Sequence, residues 1–187
     1  MEARTASQIL GGNPGGRRSE VDFYPTPPEV TEALLRAIGL RNRVVWEPAC
    51  GEGDMAEVIR KHGNHVIATD IQKGQDFLTM PFQQCDWIIT NPPFSLAEQF
   101  IRKAAEHEVP FAMLLKSQYW HAAKRVSLFL DIPPSHVLPL AWRPDFLFKK
   151  REKGSPLMDV IWCIWIPGAS QTVYFPLERP TFVTSCD

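Results

Sequence analysis

Short apolar runs that each end in a turn and alternate with stretches of helical length leave this chain few folds to choose from. Val44-Val45-Trp46 runs into Glu47-Pro48-Ala49-Cys50-Gly51-Glu52-Gly53, after which Asp54 to His62 has helical character and Gly63 closes it. A second run, His65 to Thr69, stops at Asp70. A third, Asp86 to Thr90, enters Asn91-Pro92-Pro93-Phe94, and Leu96 to His107 reads as a helix. Val109 to Leu115 then reads as a buried strand, Ser117 to Leu130 as a helix, and His136 to Trp142 and Met158 to Ile166 as two closing strands. Strands separated by helices require right-handed crossovers, which put helices on both faces of a mostly parallel sheet. The expected class is α/β, doubly wound and Rossmann-like, with an antiparallel strand in the C-terminal hairpin. Between Asp70 and Asp86 there is room for at most a very short strand near Phe77-Leu78, with no full helix after it.

Ahead of the first strand, Thr26-Pro27-Pro28-Glu29 predicts a capping box that opens a helix running to about Ile38 and stopped by Gly39. Residues 1–20, with the run Gly11-Gly12-Asn13-Pro14-Gly15-Gly16, have almost nothing to bury and are expected to form a flexible arm. Residues 21–187 remain as one domain, and the 44% hydrophobic content of the whole chain is enough for a sizeable core. A formal charge of −1 provides no global polycation, so contact with a polyanion requires local basic patches. Cys50, Cys85, Cys163 and Cys186 form no pair with zinc spacing, so no metal is expected, and reduced thiols in the cytoplasm are the plain reading. No apolar stretch reaches the roughly 18 residues of a membrane span.

In open parallel sheets ligands bind at the carboxyl ends of the strands, where this sequence places Glu47 to Gly53, Asp70 and Asn91 to Phe94. Gly51 and Gly53 let backbone approach a ligand, but Glu47, Glu52 and Asp54 would repel a pyrophosphate. S-adenosylmethionine suits such a loop better, because it carries an ammonium, a sulfonium and a ribose diol and no phosphate. Asp70 is placed to accept the ribose hydroxyls, Asp76 to accept an adenine amino group, and Phe77 to pack on the purine or simply in the core. The two prolines of Asn91-Pro92-Pro93-Phe94 hold an extended, rigid loop. An aromatic amine is a poor nucleophile, its lone pair being delocalised into the ring. Acceptors at the Asn91 side chain and the Pro92 carbonyl can take its two hydrogens and turn the lone pair towards a methyl donor, with Phe94 stacking on the base.

These motifs resemble the S-adenosylmethionine-dependent class I methyltransferases acting on amino groups, and specifically the N6-adenine DNA methyltransferases of the phage and restriction type. The resemblance spans about Asp22 to Ile166. It rests on Asp22-Phe23-Tyr24-Pro25-Thr26-Pro27, Glu47 to Gly53, Asp70, Asp76-Phe77, Asn91 to Phe94 and Asp159-Val160-Ile161-Trp162-Cys163-Ile164-Trp165, in an order like the γ-type arrangement. It implies S-adenosylmethionine as cofactor, with Tyr24, Pro25 and Thr26 at its methionine end and Glu47, Ala49, Gly51, Gly53, Asp70, Asp76 and Phe77 along the rest. It also implies Asn91, Pro92, Pro93 and Phe94 as the catalytic set, and DNA as partner.

Many sequence-specific members carry a separate target-recognition domain, for which this chain has no room. The segment Arg143 to Ser155 stands in its place, with Arg143, Lys149, Lys150, Arg151 and Lys153 against Asp145 and Glu152. Tyr119, Arg143, Lys149, Lys150 and Arg151 are therefore the expected nucleic-acid contacts. Two alternatives stay open. One is a methyltransferase acting on RNA or on a protein glutamine amide, which present a similar flat NH2. The other is a module that binds S-adenosylmethionine or nucleic acid without turnover.

Overall fold

The computed structural model describes residues 24–149, 155–156 and 158–181. The expected arm at residues 1–20 lies outside them. Helix α1 (Pro28–Ile38) precedes strand β1 (Val44–Glu47), helix α2 (Asp54–Lys61) and strand β2 (His65–Ala68). Strand β3 (Trp87–Thr90), helix α3 (Ala97–Ala105), strand β4 (Phe111–Lys116) and helix α4 (Val126–Asp131) follow, and β5 (His136–Pro139), β6 (Val160–Trp165) and β7 (Val173–Tyr174) close the chain. The strands form one seven-stranded sheet in the order β2-β1-β3-β4-β6-β5-β7. β6 pairs antiparallel with both β4 and β5, and the other pairings are parallel. This is the expected doubly wound sheet with an antiparallel C-terminal strand. The Phe77-Leu78 segment forms a turn rather than a strand.

Successive strand residues point to opposite faces, and here both faces are buried. Val45, Ile89, Ala112, Leu114, Trp162 and Ile164 pack with Leu34, Leu35, Met55 and Ile59 of α1 and α2. Their neighbours Trp46, Ile88, Met113, Leu115, Ile161 and Cys163 pack on the other side with Phe100 and Ile101 of α3 and Leu128 of α4. A central strand covered on both sides has to be apolar throughout. β6, Val-Ile-Trp-Cys-Ile-Trp, is buried at every position.

Two local expectations are corrected, and one strand was not foreseen. Pro27, not Thr26, is the N-cap of α1, and no side chain caps that helix. A residue before proline is driven to extended backbone, and the Thr26 hydroxyl is engaged elsewhere, by the Asn91 amide. Ser117 to Leu130 is not one helix but two 3-10 turns, Ser117–His121 and Ala123–Arg125, followed by α4. Trp120 stacks on Phe129 with ring centroids 4.0 Å apart. In a straight α-helix positions nine apart lie on opposite faces and about 13.5 Å apart along the axis, so that stack requires the chain to bend. β7, only two residues long and exposed, carries no periodicity by which a sequence would reveal it.

Trp162 is fully buried, and its indole N–H donates to the Val30 carbonyl at 3.0 Å, tying α1 to the sheet. Trp162→Phe loses that bond and leaves a void, and should lower unfolding stability by about 1–3 kcal/mol. Urea denaturation of parent and variant measures the difference.

Candidate active site

The sheet order fixes where a ligand can sit. From β1 the chain crosses outward to β2 and then returns to β3 on the other side of β1, so the loops leaving β1 and β3 diverge and open a crevice at their carboxyl ends. A cleft of about 280 Å³ occupies that place. The loop after β1 contributes Glu47, Pro48, Ala49 and Cys50, and the chain after β2 contributes Asp70, Ile71, Gln72, Asp76 and Phe77. Asn91-Pro92-Pro93-Phe94 lies after β3, and Tyr24-Pro25-Thr26 arrives from the start of α1. Most of the residues singled out in the sequence therefore share one cavity. Gly51 and Gly53 are not in its lining. They have φ of +50° and +94°, and Gly53 is the N-cap of α2. They turn the chain, as their lack of a Cβ permits.

The β1 loop is fastened to β2. Cys50 N–H donates to Thr69 O and Thr69 N–H to Glu47 O, both at 3.0 Å. Gly51 N–H donates to Asp70 Oδ2 at 2.8 Å, and the other carboxylate oxygen accepts from Gln72 N–H at 2.8 Å, capping a 3-10 turn. Asp70 thus fixes the glycine loop while keeping a place in the cleft wall; each oxygen retains a second lone pair. Asp76 accepts from Leu78 N–H at 3.1 Å. Phe77 is buried and packs against Trp46 and Phe100, with centroids at 5.1 and 4.9 Å, so its ring belongs to the core as well as to the cleft wall.

Four carboxyl groups, of Glu47, Asp54, Asp70 and Asp76, line the cleft, and no lysine or arginine is among its lining residues. Glu47 is 2% exposed, and its Oε2 has no hydrogen-bond partner. Burial pushes its carboxyl up to about 8, against smaller opposing effects of the Arg60 charge and the Ala56 backbone N–H. This donor set fits a cationic ligand without phosphate.

At the other end of the cleft the Asn91 amide nitrogen donates to Thr26 Oγ1 at 3.1 Å and to Tyr24 O at 3.3 Å. Its Oδ1 is shielded from solvent and has no partner. The Tyr24 and Phe94 rings lie 5.8 Å apart, and the Lys116 ammonium stands 4.3 Å from the Phe94 centroid in a cation–π contact.

The expected nucleic-acid contacts are placed differently. Tyr119 is buried, with the Arg125 guanidinium 3.7 Å over its ring and Phe129 against its side, so as placed it offers no ring face to a partner. Arg143 pairs with Asp159 at 2.7 Å. Lys149 reaches Glu52 at 2.9 Å and Asp54 at 2.7 Å. Lys150 and Arg151 lie outside the described residues. Among the cleft residues, sequence reasoning passed over Met55, Ile71, Gln72 and Phe100. Ile71 and Gln72 follow Asp70 directly, and that adjacency was the available signal.

No family model matches this sequence, and no curated protein is similar to it. Solved structures are. A candidate RNA methyltransferase from Pyrococcus horikoshii superposes with a TM-score of 0.63 at 16% identity, over 86% of this chain and 95% of that one. The modification subunit of a candidate type I restriction enzyme from Vibrio vulnificus gives 0.57 at 13%, over 87% of this chain and 49% of that one. The chain has the class I, Rossmann-like methyltransferase fold. A candidate hemolysin from Streptococcus thermophilus matches at 0.55 and 8%, over 84% of this chain and 71% of that one, so the fold by itself selects no activity.

The Glu47 environment sets a pH signature. A carboxyl raised from 4.5 to about 8 in the native state keeps its proton where the unfolded chain ionises. Its contribution to stability is complete below 4.5 and is lost as pH rises towards about 8. Glu47→Gln abolishes that loss, and the fixed cost of its new amide cancels between pH values. The variant's melting temperature relative to the parent's should therefore climb from about pH 5 to about pH 8, as thermal melts across that range will show.

Proposed function

We propose that this chain transfers a methyl group from S-adenosylmethionine to the exocyclic N6 amino group of adenine in DNA. The observation that carries the reading is the Asn91 amide, whose oxygen is left as a buried, unpartnered acceptor in a residue that lines a carboxyl-rich cleft. An orphan acceptor of this kind costs about 1–3 kcal/mol unless a donor arrives, and the hydrogens of a flat NH2 group are such a donor.

Glu47, Asp70 and Asp76 would hold the cofactor, its ammonium or sulfonium favouring ionisation of the Glu47 carboxyl that burial otherwise keeps protonated and its ribose hydroxyls at Asp70. When bound, S-adenosylmethionine supplies an electrophilic methyl group with a neutral thioether as leaving group, so no water and no metal need be activated. The chain's own part is to orient the amine. Asn91 Oδ1 and the Pro92 carbonyl accept its two hydrogens, which localises the lone pair on nitrogen. As the new N–C bond forms and the S–C bond breaks, the nitrogen gives up one hydrogen as a proton to solvent. Phe94 provides a stacking face, and a base reaching it must leave its duplex stack or come from an unpaired strand. The choice of DNA rests on the resemblance of Asp22 to Pro27 and of the Asp159 to Trp165 strand to the N6-adenine DNA group.

Labelled methyl transfer to duplex DNA, single-stranded DNA, RNA and protein, followed by mass spectrometry of the product, tests the proposal. N6-methyladenine in DNA is the expected product; methyl in RNA or glutamine would move the substrate, and none at all would remove the activity. Asn91→Ala should slow single-turnover transfer by roughly 5- to 150-fold while cofactor still raises the melting temperature as in the parent.

A further inference from the structure

The orientation of the Asn91 side chain is dictated from outside its own loop. The terminal torsion of asparagine is intrinsically broad and roughly two-fold, so what the amide presents to the cleft depends on its partners. The Tyr24 carbonyl can only accept, hence the Asn91 atom bonded to it at 3.3 Å must be the nitrogen. The second amide hydrogen goes to Thr26 Oγ1 at 3.1 Å. Both hydrogens are then used, and the oxygen is what remains without a partner. A flipped amide would set its oxygen against the Tyr24 carbonyl and turn its NH2 towards another amine.

Thr26 is 5% exposed, and its hydroxyl caps no helix. With prolines at 27 and 28 the backbone around it has little freedom. We infer that Thr26 is a positioning residue for methyl transfer, whose hydroxyl, with the Tyr24 carbonyl, locks the Asn91 amide with its oxygen towards the acceptor amine. This rests on the reading of Asn91 given above. It also gives Thr26 work apart from the methionine end of the cofactor, where the family resemblance alone would leave it.

The test is single-turnover methyl transfer to DNA at saturating S-adenosylmethionine, with cofactor affinity measured in parallel. Thr26→Val, which keeps the shape and removes the acceptor, should slow transfer about 10-fold and leave cofactor affinity at the parental value. Thr26→Ser should restore most of the rate. In an Asn91→Ala background Thr26→Val should cost nothing further, because the two residues act as one unit. If Thr26→Val does not fold, Thr26→Ala serves the same comparison. Parental rates in the hydroxyl-free variant, equal losses in the serine and valine variants, or additive losses with Asn91→Ala would each overturn the inference. So would weakened cofactor binding with an unchanged saturated rate, which would return Thr26 to the cofactor. A parent enzyme that methylates no acceptor would instead overturn the reading beneath it.

Discussion

The divergence of the chain on either side of β1 governs the rest of the molecule. With β2 on one side and β3 on the other, loops leaving the carboxyl ends of β1 and β3 have no reason to meet, and the crevice between them follows from topology. It is held open by short strands buried on both faces, whose side chains are committed to the two cores. The two loops are then stiffened in different ways. The β1 loop is bonded to Thr69 and Asp70 at the end of the neighbouring strand β2, whereas the β3 loop draws its rigidity from Pro92 and Pro93 and from the clamp on Asn91.

That arrangement accumulates electrostatic cost in one place. Four carboxyl groups around a small cleft cannot all be comfortable, and Glu47, the most deeply buried, retains its proton to about 8. At the opposite end a neutral but unpartnered amide oxygen is shielded from water. One end gathers carboxyl groups and the other lacks a hydrogen-bond donor. A ligand pair that brings a cation to the first and an NH2 to the second relieves both, which is why the two halves are best understood together.

Much of this was legible in the residues. The apolar runs 44–46, 86–90 and 158–166 became β1, β3 and β6 because central strands covered on both faces are apolar nearly throughout, and the run 65–69 became the edge strand β2, with only Val66 buried. Asp70, Glu47 and Asn91 stood out because turns at strand ends are where topology puts ligands. What was hidden depends on particular side-chain contacts, near and far in sequence. The Asn91–Thr26 bond spans 65 positions and cancelled a plausible capping box. The Trp120–Phe129 stack broke a helix that propensity favoured, and Arg125 covers the ring of the buried Tyr119. In each case a specific side-chain contact decided what local propensity left open.

Ion pairs at the cleft rim bear on how a nucleic acid would be met under the proposed function. Arg143 and Lys149, the described basic residues of the expected DNA segment, sit on Asp159, Glu52 and Asp54. Exposed ion pairs of this kind contribute only about 0–1 kcal/mol each, so a phosphate can replace the carboxylate at little cost. The exchange has a consequence at the cleft. Asp54 is one of the lining carboxylates, and moving Lys149 from it to a phosphate leaves more negative charge beside a bound cation. Engagement of the polyanion and retention of a positively charged cofactor then work in the same direction, although the chain as a whole carries a formal charge of only −1. Under the proposed function, Lys149 at the rim would in this way couple contact with the polyanion to the cofactor pocket.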